Sequence, residues 1–176
     1  MAVMLEVKNL GISFGGLRAV NAFDLTIEKR RLYGLIGPNG AGKTTVFNLL
    51  TGVYKPSEGS VTLDGQDITG RPTIEINKAG IARTFQNIRL FKNLTALDNV
   101  KIAMHKNIKY GTLQAILRTP NYYREEERVE QQAEELLKVV HLYDKRNELA
   151  SNLPYGEQRR LEIARALATK PKVLFL

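Results

Sequence analysis

Residues Gly37-Pro38-Asn39-Gly40-Ala41-Gly42-Lys43-Thr44 form an uninterrupted G-x-x-x-x-G-K-T motif, and no other stretch narrows the possible folds as far. Glycine lets the backbone enter conformations closed to other residues and turn its N–H groups inward as an anion-binding nest. Lys43 then sets a positive charge against outer phosphates, and the Thr44 hydroxyl can hold Mg²⁺. A helix opening at Lys43 presents its positive dipole end to the same anion. Thr45, next in that turn, belongs with the phosphate-binding set. The flanks agree with this reading. Leu32 to Ile36 is a near-continuous apolar run, which predicts a central strand buried on both faces. Lys43 to Leu50 places Val46, Phe47, Leu49 and Leu50 on one helical face, closed by Gly52 near the C-cap. With glycine at about 7% of average composition, chance matches should arise in under about one per cent of chains this long.

The rest of the first third alternates apolar and polar residues at Val3 to Val7, Phe23 to Ile27 and Val61 to Leu63, the pattern of half-exposed antiparallel strands. From about Leu90 helical periodicity takes over. Val129, Ala133, Leu136, Leu137 and Val140 recur at spacings of three and four and predict an amphipathic helix over Glu125 to Leu142. Its charged face, beginning Glu125, Glu126, Glu127 and Arg128, reads as solvated, and Tyr122 and Tyr123 before it read as packing residues. A last helix is expected over Gly156 to Thr169, before Pro171. Val173 to Leu176 then has a buried-strand pattern with no turn, cap or polar tail after it, so the chain is expected to continue further.

The 176 residues suit one domain, or one domain with an inserted piece. The absence of Cys excludes disulfides, thiolate metal sites and a Cys nucleophile. No apolar run approaches the ~18 to 20 residues that span a bilayer, which leaves peripheral membrane contact. The net charge of +8 divides evenly at residue 90, with 11 basic and 7 acidic residues before it and 15 and 11 after it. Nucleic-acid binders concentrate their charge instead, so nucleic acid is not expected as a partner.

A phosphate loop alone leaves a GTPase, a kinase, a helicase and a transport ATPase open. The strand that supplies an acidic Mg²⁺ partner in such proteins has one late candidate here, Val173 to Leu176, about 130 residues after Lys43. A largely helical insertion must fill that gap. Two further motifs narrow the choice. Leu153-Pro154-Tyr155-Gly156-Glu157-Gln158-Arg159-Arg160, followed by Leu161 to Leu167, resembles the signature motif and helix of ABC transporter nucleotide-binding subunits. Arg83-Thr84-Phe85-Gln86 resembles that family's Q-loop, and Phe14 falls where an aromatic ring stacks on adenine. The motifs stand in family order over essentially the whole chain, and their wording is most similar to ATP-binding subunits of branched-chain amino-acid importers. Taken alone, Gln86 could be a surface amide and Phe14 a core aromatic.

The resemblance implies an α/β fold: a P-loop NTPase of ABC type with a mostly parallel core sheet, an N-terminal antiparallel β part and an inserted helical subdomain. The expected division is residues 1–89 for the nucleotide-binding core, 90–168 for the helical subdomain and 169–176 for the start of the strand that precedes the acidic residues. ATP and Mg²⁺ are the implied cofactors. Lys43 and Gln86 would be catalytic, with Gln86 and Thr44 on Mg²⁺ and residues 90–109 as a docking surface. Leu153, Pro154, Tyr155, Gly156 and Glu157 would meet the γ-phosphate held by a second nucleotide-binding subunit, homologous or identical. The other implied partners are transmembrane permease subunits and, through them, a substrate-binding protein, at the cytoplasmic face of the plasma membrane. The segment departs from the family's commonest Leu-Ser-Gly-Gly-Gln, with Pro154 in place of the Ser and Glu157 in place of the Gln. The family's Mg²⁺-binding Asp, water-polarising Glu and switch His have no match in the 176 residues, since His105 and His141 lie elsewhere. A polypeptide of these residues alone is therefore expected to be hydrolysis-deficient. A soluble ABC-type ATPase outside transport, or a nucleotide-binding module without turnover, are the alternative functions.

Overall fold

The computed structural model describes residues 2–84, 88–104 and 117–176. Chain contacts divide it into two compact units, one running up to Ile81 and taking in Phe175, the other spanning Ala82 to Leu174 and Leu176.

In the first unit the alternating segments form an antiparallel sheet in the order β2-β1-β3-β4: β1 (Val3–Phe14), β2 (Leu17–Glu28), β3 (Glu58–Leu63) and β4 (Gln66–Asp67). Leu5 faces Leu63 and Val7 faces Val61 across the β1–β3 ladder, and all four are buried. That register follows from period-two patterning, because a slip of one residue in either strand would turn its buried pair to the opposite face. Helix α1 (Lys43–Leu50) buries Val46, Leu49 and Leu50, and Phe47 meets Phe175 edge to face at 5.4 Å. Helix α2 (Thr73–Ala79), too short for its periodicity to stand out in the sequence, ends at Gly80 in the left-handed region.

The second unit is helical. Helix α3 (Ala96–Met104), α4 (Pro120–Val139) and α5 (Tyr155–Ala168) enclose one apolar core that includes Val100, Val129, Ala133, Leu137, Leu161 and Ala164. The side chain of Asn99 is wholly buried and accepts from Phe91 N at 2.9 Å. Its Nδ2 donates to Phe91 O and Thr95 O, both at 3.0 Å, which closes the 91–95 turn onto α3. Strands β5 (Ile81–Arg83) and β6 (Val173–Phe175) pair as a separate two-stranded sheet.

Four expectations need correction. Leu32 to Ile36 is not a strand: Leu32 and Ile36 are 95% and 94% exposed, and among the described residues no strand pairs with the run. Apolar sequence supplies the tendency, but a strand forms only where neighbours complete its ladder and cover its faces. The charged start of α4 is not uniformly solvated either. Glu125 is buried and accepts from Arg128 Nε at 3.0 Å, an i,i+3 pair that burial strengthens, while Lys101 of α3 reaches Glu126 and Glu130 at 3.7 and 3.5 Å. Tyr123 is 56% exposed rather than packed inside. Helix α4 also begins earlier than periodicity predicts, because Thr119 caps it through a hydroxyl that accepts from Tyr122 N, with Pro120 opening the first turn.

Candidate nucleotide-binding site

The loop from Gly37 to Gly42 runs over the surface into α1. Gly40 and Gly42 have φ of +84° and +82°, a region open to glycine at no steric cost. A Cβ at Gly42 would lie 2.7 Å from the Ala19 carbonyl of β2, so glycine is required there for space as well as for torsion. Val46 N donates to Gly42 O at 2.9 Å, making Gly42 the N-cap, and no side chain caps the helix. The first N–H groups of α1 thus have no intrahelical acceptor and stand at the positive end of the helix dipole. Lys43 folds back over the same loop, donating to Gly37 O at 2.6 Å and Pro38 O at 2.7 Å. Those acceptors are neutral carbonyls, so its positive charge is directed without being cancelled. Thr44 is exposed and Thr45 half-buried in the same first turn. This combination of glycine cradle, uncapped helix start and tethered ammonium fits a chain of phosphates.

Phe14, at the end of β1, is 43% exposed and meets Tyr54 edge to face at 5.2 Å. It is therefore not a core aromatic. The hairpin that carries Phe14 is also the one whose Ala19 carbonyl packs against Gly42. Arg83 lies in β5 with Thr84 beyond it, and burial holds the Arg83 guanidinium below its ordinary range. Phe85 and Gln86 lie outside the described residues, as does His105. His141 is exposed.

In the second unit the 153–157 segment opens α5. Leu153 is buried and anchors the turn, Pro154 is the N-cap, and Tyr155 is 66% exposed. A side chain at Gly156 would meet open space. Glu157 faces away from solvent toward two cations: Lys145 Nζ donates to its Oε1 and Oε2 at 3.0 and 2.8 Å, and Arg160 Nη2 stands 3.5 Å from Oε1. Those hydrogen bonds hold the Lys145 ammonium above the usual lysine range. Sequence reasoning missed this pair of cations. Arg160 was legible, three residues beyond Glu157 on the same helix. Lys145 was not, because twelve residues and a change of element separate it from its partner.

A glycine cradle that opens a helix and carries a lysine defines a nucleotide-binding P-loop protein. The chain also matches the family model described as "ABC transporter" over residues 20–176 and belongs to that family. It is 46% identical over 173 residues to the high-affinity branched-chain amino acid transport ATP-binding protein BraF of Pseudomonas aeruginosa, covering 98% of this chain and 68% of that one. The corresponding LivG protein of Escherichia coli is 44% identical with the same coverage. Among solved structures, an ATP-binding cassette of an ABC transporter in its ADP conformation superposes with a TM-score of 0.81 at 31% identity, covering 99% of this chain and 68% of that one. A dimeric ATP-binding cassette in a post-hydrolysis state with ADP and Pi gives 0.76 at 28% identity, covering 97% and 72%.

Proposed function

We propose that this chain is the ATP-binding subunit of an ABC importer, coupling ATP binding and hydrolysis to the uptake of branched-chain or related amino acids. The observation that carries the proposal is the left-handed glycine loop opening onto an uncapped helix, in a chain 44–46% identical to proteins named for that transport. Gly40 and Gly42 turn the loop's N–H groups toward the phosphates, and the first turn of α1, with Thr45, adds its own. Lys43 shifts from the carbonyls of Gly37 and Pro38 to the outer phosphates, where its charge counts most as the terminal phosphoryl group leaves. Phe14, already held edge-on by Tyr54, offers its open face to the adenine ring. Thr44 and Gln86 would hold Mg²⁺, which would supply charge neutralisation at the terminal phosphates.

The turn at Leu153 to Glu157 is assigned to the nucleotide held by a second nucleotide-binding subunit. Residues 1–89 would form the core and 90–168 the helical subdomain that meets permease subunits, which in turn receive cargo from a substrate-binding protein. No described helix is long and apolar enough to cross a membrane. The proposed place, against the permease subunits, is peripheral on the cytoplasmic face of the plasma membrane. Within these 176 residues no carboxylate has the motif context of a general base, so the polypeptide by itself should bind nucleotide and turn it over slowly. The test is Lys43→Ala in the full-length protein within its transport complex. Loss of ATP-driven uptake of leucine, isoleucine and valine is expected, and retained uptake would overturn the proposal. Loss of uptake of a different cargo would keep the ATPase and correct its substrate.

A further inference from the structure

Glutamate in the first turn of a helix has two common uses: it complements the dipole, and it reaches back to the N–H of the cap residue. Glu157 stands three residues beyond the N-cap, the position from which that reach-back is made. Here the cap is Pro154, which has no N–H to receive it. Pro154 instead only accepts, its carbonyl taking Glu157 N and Gln158 N, both at 2.9 Å. A carboxylate left loose at this place would swing over the free N–H groups of Tyr155 and Gly156 and repel any anion approaching them. The structure prevents this. Lys145, in the 3₁₀ turn Tyr143–Lys145, grips both carboxylate oxygens, and Arg160 approaches from the next turn of α5 while also donating to Val140 O at 3.3 Å. The next charged side chain along the helix is occupied elsewhere: Arg159 stands 3.3 Å from Glu162 and over the Tyr155 ring. Lys145, which also feels the Glu148 carboxylate, and Arg160 together offset the charge of Glu157 beside an open helix end.

We propose that Lys145, with Arg160, is a positioning residue for phosphate binding: it holds the Glu157 carboxylate aside and cancels its charge, so that the start of α5 stays open to the nucleotide of the second subunit. The inference rests on the proposed role of the 153–157 turn. It accounts for the one acidic departure in the signature, since a glutamate there is compatible with an anion only if it is neutralised and withdrawn.

The test compares Lys145→Met, Glu157→Gln and the double variant in the full-length protein. Dimerisation driven by the slowly hydrolysed analogue AMP-PNP with Mg²⁺ is followed by light scattering, and half-saturating ATP is read from steady-state turnover. Lys145→Met should raise the nucleotide concentration for half-dimerisation about two- to fivefold, the worth of one charge near a helix N-terminus, with kcat little changed. Glu157→Gln should lower it by a similar factor, and the double variant should return to the natural value or below. If Lys145 merely ties two elements together, both single variants raise it alike and the double is no better, which overturns the proposal; no movement in any variant does the same. Gly156→Glu separates the two levels of inference, since its side chain meets open space yet adds charge at the mouth of the helix. Unchanged dimerisation in Gly156→Glu would show that the turn meets no phosphate. Blocked dimerisation there, with equal losses in the other two variants, would leave the site standing and remove only the role of Lys145.

Discussion

Gly40 and Gly42 lie two residues apart in one loop with nearly equal torsions, yet alanine should cost different amounts at the two. At φ of +84° and +82° any L-residue loses roughly 1–2 kcal/mol to contact between its Cβ and its own backbone. Around Gly40 that is the whole cost, because among the described residues no atom beyond its chain neighbours lies within 4 Å of the added carbon. At Gly42 the added carbon stands 2.7 Å from the Ala19 carbonyl, against the ~3.4 Å at which crowding ends, so β2 or the start of α1 must give way. Overpacking of this kind adds about 1–3 kcal/mol, bringing Gly42→Ala to roughly 2–5 kcal/mol. The strain is relieved only by leaving the conformation that binds phosphate, so it should be read in nucleotide affinity at about tenfold per 1.4 kcal/mol. Titration of a fluorescent ATP analogue should show Gly40→Ala weaker by about tenfold and Gly42→Ala by at least thirtyfold, with a lower thermal midpoint for the latter. Equal losses at the two positions, or a Gly42→Ala protein that binds like the natural one, would refute the claim that the β2 carbonyl makes glycine obligatory.

Lys43→Ala should keep the fold while nucleotide affinity falls by at least tenfold, because among the described residues its side chain bonds only to carbonyls of its own loop; a circular-dichroism melt beside the binding titration checks both. Asn99→Ala should destabilise the helical unit by about 2–4 kcal/mol, since a wholly buried amide closes the 91–95 turn through three hydrogen bonds of 3.0 Å or less; urea unfolding measures it. The Asp67 carboxyl is held below its usual range by hydrogen bonds from the Thr69 hydroxyl and from Thr69 N–H, the latter at 2.7 Å. Because the folded value is depressed, its contribution to stability is present above the unfolded carboxyl pKa and is lost as pH falls through the folded one. Asp67→Asn should flatten the acid limb of the stability profile, and an unchanged slope between pH 5 and pH 3 would count against that bond.

The phosphate loop was legible because its chemistry is local. Glycine spacing, a lysine and a hydroxyl at the start of an apolar-faced helix determine the loop conformation wherever the chain is placed, and the structure carries them as a unit. Period two marked β1, β2 and β3 in the same way, although only β1 and β2 form a hairpin and β3 joins β1 from the far side of α1. Leu32 to Ile36 shows where that legibility stops: hydropathy marks a segment that favours burial, whereas ladder partners from distant sequence decide whether it becomes a strand. The burial of Glu125, the closure of the 91–95 turn by Asn99 and the capture of Glu157 by Lys145 were decided only by tertiary structure. Each depends on two elements meeting across a gap that no periodicity records. By itself the sequence determined that this chain presents a phosphate cradle and the family's motifs in order; which charges stand beside those motifs, and whether they admit or repel an anion, followed from packing alone.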